Sequence, residues 1–95
     1  MKNKQSRRIS MTEPIQDLLN RIRWDPGFGF ARFVVGYYDR VSNTIVHIPF
    51  ERIRFKPDDH FYFEVDTEDG AVHDIPLHRV REVYRDGELI WHRKP

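Results

Sequence analysis

The chain of 95 residues contains no cysteine. It can therefore form no disulfide, no thiolate zinc site and no thiol nucleophile. No apolar run approaches the ~18 residues that a membrane-spanning helix needs, and no apolar signal segment follows the basic N-terminus. From these absences we expect a cytoplasmic protein with no membrane partner.

Residues 58–75 lack lysine and arginine altogether, although they hold seven acidic side chains. The flanking segments are basic, so the whole chain has a formal net charge of only +1. If the acidic block folds to one side, the remaining surface presents a basic face suited to phosphate. The acids could equally neutralise the basic segments in the folded protein, and the sequence leaves both possibilities open.

Motifs of known catalytic sites are also missing. There is no glycine-rich phosphate loop, no G-x-S-x-G and no H-E-x-x-H. His73 and His78 lie five residues apart across a proline, and they could ligate a metal only if both faced one cavity. We therefore expect no metal, no cofactor and no catalytic residue, with His78 as the only weak catalytic candidate.

The composition is typical of a folded protein, since 39% of the residues are hydrophobic and 14% are aromatic. The length allows at most one domain. Residues 1–11 are polar and basic without periodicity, which predicts a flexible basic tail that could touch nucleic acid. We assign a single globular domain to residues 12–93.

One helix is predicted after Thr12, which is a good N-cap residue. Apolar residues then recur at helical spacing, at Ile15, Leu18, Leu19 and Ile22. The segment Asp25-Pro26-Gly27 ends the helix. A helix of about ten residues is marginal alone, so its apolar stripe must pack against a sheet.

Short segments with apolar residues at alternate positions follow the helix and predict antiparallel strands. These segments are residues 31–40, 44–48, 60–66, 71–75, 80–85 and 88–92. Asp86-Gly87 predicts a type I′ hairpin turn between the last two. The predicted fold class is α+β, with a short N-terminal helix docked on a small, strongly curved antiparallel sheet or partly closed barrel of about six or seven strands.

One stretch of the sequence occurs twice. Residues 48–54 read IPFERIR and residues 75–81 read IPLHRVR, and the two copies align without a gap. Because proline cannot donate a ladder hydrogen bond, each copy predicts a strand end followed by a tight turn. The pair is either a duplicated structural corner or a paired cationic site for an anion. Glu51 of the first copy is His78 in the second, which makes the second copy the better binding candidate.

Arginine stands beside aromatic residues at three places, in RIRWD (21–25), YYDR (37–40) and IWHR (90–93). Guanidinium groups bind phosphate oxygens bidentately, and aromatic rings stack on unpaired bases. The pattern indicates a surface for single-stranded RNA or an RNA terminus. The same aromatic residues could instead be core residues, with Asp25 and Asp39 as ion-pair partners of arginine.

The order and spacing of four motifs resemble a family of small uncharacterised archaeal proteins. The motifs are RIRWDP (21–26), GYYDR (36–40), IPF (48–50) and IPLHRVREVYRDGELIW (75–91). The domain of that family also occurs fused to RNA-related modules in eukaryotes, and it has been proposed to recognise RNA ends that carry a cyclic phosphate. The resemblance spans residues 11–93 and implies binding of 2′,3′-cyclic phosphate ends in RNA repair or processing.

This resemblance also implies which residues bind RNA. The expected phosphate contacts are Arg21, Arg23, Arg40, Arg52 and Arg79. The rings expected to stack on a terminal base are Trp24, Tyr38 and Trp91. His78 would donate a hydrogen bond to a phosphate or 2′-oxygen, and Asp25 and Asp39 would orient arginines.

Two other functions fit the same sequence. The first is a protein-interaction or structural accessory domain, with a possible protein partner in RNA processing. The second is an RNA phosphodiesterase that uses His78. The sequence indicates no oligomeric state.

Overall fold

The computed structural model describes residues 13–66 and 70–93. One α-helix, α1 (Ile15–Trp24), opens this part of the chain. Seven strands follow: β1 (Phe33–Asp39), β2 (Thr44–Pro49), β3 (Ile53–Phe55), β4 (Tyr62–Asp66), β5 (Val72–Pro76), β6 (Val80–Arg85) and β7 (Glu88–His92). The tail predicted at residues 1–11 and the cap predicted at Thr12 lie outside the described residues. No helix in the described ranges is long and apolar enough to cross a membrane.

The helix α1 forms where its apolar periodicity predicts it. Its buried residues are Ile15, Leu18, Leu19 and Ile22. Pro14 takes the N-cap position, and its carbonyl oxygen accepts a hydrogen bond from the Leu18 amide at 3.1 Å. Asp25 follows the helix in an extended conformation, so the predicted C-terminal boundary is confirmed.

The strands form two antiparallel sheets. The first contains four strands in the order β2-β1-β6-β7, and the second contains three in the order β3-β4-β5. The α+β class and the antiparallel pairing are therefore confirmed. No strand pairing among the described residues joins the two sheets into a closed barrel.

The repeated Ile-Pro motif marks the two places where the chain crosses between the sheets. The first copy leads from β2 to β3, and the second leads back from β5 to β6. The geometry is the same in both, since Pro49 has φ −63° and ψ 142° and Pro76 has φ −64° and ψ 139°. A three-residue 3-10 turn follows each proline. The prediction of a duplicated structural corner is thus confirmed.

The strand β3 was not among the predicted segments. It contains only Ile53, Arg54 and Phe55, which is too short for an alternating pattern to be recognised. It forms because the first corner delivers the chain beside β4, where Ile53 pairs with Val65 and Phe55 with Phe63. The pairing therefore depends on the corner rather than on local sequence.

The core lies between α1 and the inner faces of both sheets. Its fully buried residues come from all three layers: Leu18 and Leu19 from α1, Val35, Val80 and Val83 from the first sheet, and Phe63 and Val65 from the second. The rings of Tyr37 and Phe63 meet edge-to-face across the sheets, with centroids 6.4 Å apart. Trp91 joins the end of the chain to its start, because its Nε1 donates to the Glu13 carbonyl oxygen at 2.7 Å. One apolar core therefore holds the helix and both sheets.

Gly36 lies in the middle of β1, where neighbouring side chains leave no space for a Cβ. A Cβ at this position would lie 3.0 Å from atoms of Glu82, His47 and Ile45. His47 Nε2 and Glu82 Oε1 are themselves 2.7 Å apart, so they form a pair across the backbone of Gly36. The β1–β6 register also shifts between Gly36 and Tyr37.

Replacing Gly36 by alanine is expected to lower the free energy of unfolding by about 1–3 kcal/mol, which is the usual cost of overpacking. The matched control is Gly27→Ala, because an added Cβ there meets only Asp25 Oδ1 at 3.6 Å and the backbone φ is −68°. Chemical denaturation of both variants measures the difference. Equal stability of the two variants would contradict the packing argument.

Candidate nucleic-acid interface

A groove with a volume of about 980 Å³ lies beside the second corner. Four parts of the chain form it: the start of α1, the segment that leads into β4, the second corner and the end of β7. The amide of Leu77 donates to the Phe61 carbonyl oxygen at 2.8 Å, so the corner and the segment before β4 are tied together. Three histidines, His60, His78 and His92, line this groove.

Two arginines lie beside the second corner, and one of them lines this groove. Arg81 lies on β6 and Arg93 follows β7, and the Arg93 amide donates to the Arg81 carbonyl oxygen at 2.9 Å. The Arg81 Nη1 donates to the carbonyl oxygen of His78 at 2.8 Å. Arg93 itself lines the groove. The hairpin of β6 and β7 thus places two guanidinium groups on neighbouring positions next to the second corner.

The guanidinium of Arg81 lies over the ring of Tyr38 at 5.8 Å and that of Arg93 over the ring of Trp91 at 5.1 Å, but part of each group has no partner. The Nε atoms of Arg81 and Arg93 are buried, and neither finds a hydrogen-bond acceptor within the described part of the chain. Burial, together with the neighbouring charge of Arg81, lowers the pKa of Arg93. Like charges at adjacent positions of a sheet are destabilising, as are buried polar groups without partners. A bound anion would relieve both costs, so this arginine pair is a candidate anion site.

Within its described residues, 58–66 and 70–75, the acidic block forms no ion pair with Arg81 or Arg93. Its side chains instead form ion pairs on the second sheet: Asp66 with Arg54 at 2.8 Å, and Glu64 with Lys56 at 3.4 Å. The cations of the ion pairs found in residues 13–66 and 70–93 are Arg21, His47, Arg54 and Lys56. The acids therefore neutralise the basic residues of β3 and the segment that follows, and leave Arg81 and Arg93 unneutralised.

Of the residues predicted to bind RNA, His78 and Trp91 belong to the groove. His78 is exposed on the second corner. Trp91 is only 3% exposed, and its Nε1 is bonded to the Glu13 carbonyl oxygen. The face of its ring is therefore covered by protein, and we assign Trp91 a structural role rather than base stacking.

Three other predicted residues lie at the opposite end of α1. Trp24 is 70% exposed, and the guanidinium of Arg23 stacks on its ring at 4.7 Å and on the ring of Phe55 at 4.4 Å. Arg21 is already paired, because its Nη1 donates to Glu13 Oε1 at 3.2 Å and its guanidinium lies over Phe28. Trp24 and Arg23 are thus the accessible members of this group.

Asp25 and Asp39 accept hydrogen bonds from turns. Asp25 Oδ1 accepts from the Gly27 amide at 3.1 Å, and Asp39 Oδ1 accepts from the Val41 amide at 3.1 Å. The ion pairs of the described residues include neither carboxylate. Both carboxylates therefore bond to the turns that end α1 and β1, and not to the arginines that they were predicted to orient.

The remaining predicted residues are dispersed. Tyr38 bonds to Asn43 through its hydroxyl group. Arg40 is exposed in the turn after β1, and Arg52 Nη2 reaches the Asp66 carbonyl oxygen at 3.5 Å. Arg79 is half-buried on the second corner, and the groove is lined by neither Arg52 nor Arg79. The two corner arginines thus do not form the paired cationic site that the repeat allowed.

The groove contains residues that the sequence did not single out for binding. Phe61 belongs to the predicted strand segment 60–66, but β4 begins only at Tyr62 and Phe61 is 74% exposed. The Asp59 carboxylate accepts the amides of both Phe61 and Tyr62 and holds this turn. Arg81 and Arg93 were present in the quoted motifs, yet only the β6–β7 register brings them together.

A metal site is not indicated. No three His, Asp or Glu side chains of the described residues are grouped so as to hold an ion. His73 is exposed on β5 and does not line the groove, whereas His78 does. The pair therefore does not face one cavity.

The fold and the groove define a small α+β protein. Two neighbouring arginines, which form no ion pair within the described residues, lie beside a groove wall of exposed aromatic and histidine side chains. The chain belongs to the family described as the MJ1316 RNA cyclic group end recognition domain, which it matches over residues 11–93. The family resemblance predicted from the motifs is thereby confirmed.

Relatives with similar sequences occur in archaea. The chain is 37% identical over 79 residues to a UPF0248 protein of Metallosphaera sedula, an alignment that covers 83% of this chain and 91% of the relative. It is 33% identical over 82 residues to a UPF0248 protein of Saccharolobus solfataricus, covering 83% and 95% respectively. No solved structure matches the chain at a significant level.

The arginine pair makes a stability prediction. Arg93→Met is expected to leave the melting temperature unchanged or to raise it, because methionine keeps the packing of the stem and removes an unpaired charge. Arg54→Met is the matched control, and it is expected to lower the melting temperature because Arg54 pairs with Glu64 and Asp66.

Differential scanning fluorimetry with and without inorganic phosphate, at constant ionic strength, measures both effects. Phosphate should raise the melting temperature of the wild type and of Arg54→Met more than that of Arg93→Met. A ligand stabilises the folded state only if it binds, and Arg93→Met lacks part of the proposed anion site. A larger loss for Arg93→Met than for Arg54→Met, or equal phosphate stabilisation of all three, would contradict an anion site at Arg93.

Proposed function

We propose that the groove beside the second corner binds the 3′ end of RNA that carries a 2′,3′-cyclic phosphate. The observation that carries the proposal is the pair of buried, unpartnered Nε atoms on Arg81 and Arg93. The description of the family, which names RNA cyclic group end recognition, supports the same ligand class. The protein would act as a binding module in RNA repair or processing.

The terminal phosphate is assigned to Arg81 and Arg93. A cyclic phosphate diester has one negative charge and two non-bridging oxygens, and a guanidinium group can donate two parallel hydrogen bonds to such oxygens. His78 lines the groove and its carbonyl oxygen accepts from Arg81, so we assign its imidazole as a donor to a phosphate or 2′-oxygen. Two arginines and one further donor suit this charge.

The terminal base is assigned to the aromatic wall. Phe61 is 74% exposed and Tyr62 is 42% exposed, and both line the groove with His60 and His92. Aromatic faces stack on any unpaired base with little sequence preference. The proposed site therefore recognises the chemistry of the end rather than the sequence.

The other predicted contacts are revised accordingly. Arg40, Arg52 and Arg79 do not line the groove, and unlike Arg81 they have no backbone hydrogen bond to Arg93, so we assign them no contact with the terminal phosphate. Trp91 supports the floor of the groove through its hydrogen bond to Glu13. His78 keeps its predicted role as a donor.

A five-nucleotide RNA ending in a cyclic phosphate is expected to bind more tightly than the same RNA ending in a 3′-hydroxyl. Arg81→Met and Arg93→Met should each weaken binding of the cyclic-ended RNA about tenfold, since a hydrogen bond to a charged group contributes roughly 1.5–3 kcal/mol. The affinity should also fall as salt is raised. Fluorescence anisotropy of 5′-labelled RNA measures these affinities.

Arg54→Met serves as the control, because it removes one positive charge from the second sheet, away from the groove. Its affinity should stay within about twofold of the wild type, as expected for a screened surface charge. Equal affinity for both RNA ends, or binding to neither, would contradict end recognition. Equal losses in Arg54→Met and Arg93→Met would show that only net charge matters.

A second candidate function is hydrolysis of the cyclic phosphate, and it is favoured by one observation: three imidazole groups line the groove. Water would attack phosphorus and the bond from phosphorus to one ribose oxygen would break. One imidazole would accept the proton of water and another would protonate the leaving oxygen. The product would be a linear phosphate monoester.

Chromatography of the RNA after incubation with the protein separates the two functions. We expect cyclic-ended RNA to be recovered unchanged, both with and without divalent metal, because the proposed module only binds. Conversion to a linear monophosphate that is lost in His78→Ala would instead establish the phosphodiesterase.

A further inference from the structure

The groove does not end at the aromatic wall. A second cavity of about 420 Å³ shares Gln16, His60, Tyr62 and Leu77 with it. The two cavities are therefore adjacent, and α1 lines both. The second cavity ends at Arg23 and Trp24.

The length of this track follows from helix geometry. Gln16 lines both cavities, and Asn20 and Trp24 follow it at intervals of four residues along one face of α1. With a rise of 1.5 Å per residue, Gln16 and Trp24 lie roughly 12 Å apart along the helix axis. A single nucleotide bound at the arginine pair would leave this part of the track empty.

The far end of the track has the chemistry of a base-stacking platform. Trp24 is 70% exposed, and the guanidinium of Arg23 holds its ring on one side while also contacting Phe55. The other acidic and basic groups of the track are already used: Asp59 accepts two backbone amides, and Lys56 pairs with Glu64 and Asp74. Arg23 is in none of the ion pairs of the described residues.

We propose that a base upstream of the terminal nucleotide stacks on Trp24, so that the ligand is an unpaired 3′ segment of several nucleotides rather than the terminal nucleotide alone. This inference rests on the proposed function, because the terminal phosphate at Arg81 and Arg93 fixes the register of the strand. A base that is paired in a duplex would not expose a face to the ring, so the 3′ segment must be single-stranded.

The test compares ligands that share the cyclic end and differ in length: a nucleoside 2′,3′-cyclic phosphate, and cyclic-ended RNAs of two, three and five nucleotides. Each competes with a labelled five-nucleotide RNA for the full chain. The wild type should bind the three- or five-nucleotide RNA about five- to 100-fold more tightly than the mononucleotide, which is the range for one stacked base. Trp24→Ala should lose this gain and keep the mononucleotide affinity.

The matched control is Phe30→Ala. Phe30 is 93% exposed and lines neither cavity, so its removal deletes an exposed aromatic ring without touching the track. It should leave the gain with length unchanged. A five-nucleotide RNA with abasic upstream positions keeps the phosphates and loses the bases, and it should bind the wild type no better than the mononucleotide does.

Fluorescence gives an independent measurement, because the chain has two tryptophans and only Trp24 is exposed. The longer RNAs should quench the emission of the exposed tryptophan and the mononucleotide should not, and Trp24→Phe should abolish this quenching. A gain with length that survives in Trp24→Ala or with the abasic RNA would overturn the inference while the proposed function stands. If no cyclic-ended ligand bound more tightly than its 3′-hydroxyl counterpart, the result would instead contradict the proposed function.

Analytical ultracentrifugation of the same variants tests another occupant of this surface. The wild type is expected to sediment identically to Trp24→Ala, because RNA and not protein covers the Trp24 end of the track. Self-association that Trp24→Ala abolishes would assign the surface to a second copy of this chain and overturn the inference.

Discussion

The rest of this structure depends on one constraint that occurs at two positions: proline has no amide hydrogen to donate. At Pro49 and at Pro76 the strand ladder stops, because proline has no N–H to donate, and a 3-10 turn redirects the chain. The first turn moves the chain from the four-stranded sheet to the three-stranded sheet, and the second returns it. The two sheets can therefore share one core with α1, and edge-to-face contact of Tyr37 with Phe63 joins them.

The second corner also explains why the groove lies where it does. It places His78 at the surface and starts β6 so that Arg81 faces Arg93 across the hairpin. The pair is costly to the fold, since the charges repel and the Nε atoms lack acceptors within the described residues, although Arg81 Nη1 does donate to the His78 carbonyl oxygen. Proteins tolerate such local costs mainly at sites where a ligand offsets them. The equivalent positions of the first corner differ, because Arg54 there is paired with Asp66 and Glu64.

Much of the fold could be predicted because its signals are local. The stripe of α1, the strand pairs and the turn at Asp86-Gly87 are each written within a few residues, and both turn residues do adopt positive φ. The short strand β3 could not be predicted, since only the first corner brings it to β4. Of the predicted contacts, His78 and Trp24 are exposed. Trp91, which the family resemblance implied as a stacking ring and the residue pattern also allowed as a core residue, is buried and bonded to Glu13, 78 residues away.

The sequence by itself determined the helix, the alternation of the strands, the repeated corner and the family, because periodicity, proline and short motifs act over neighbouring residues. Only the tertiary structure decided which charges are neutralised. The acids of residues 58–75 pair with β3 and the segment after it, because β3 and β5 flank β4. Arg81 and Arg93 form no ion pair with a carboxylate of the described residues, because their neighbours are set by the β6–β7 register. Which charges neutralise one another depends on distances in the folded chain. A sequence shows only how many charges of each sign are present.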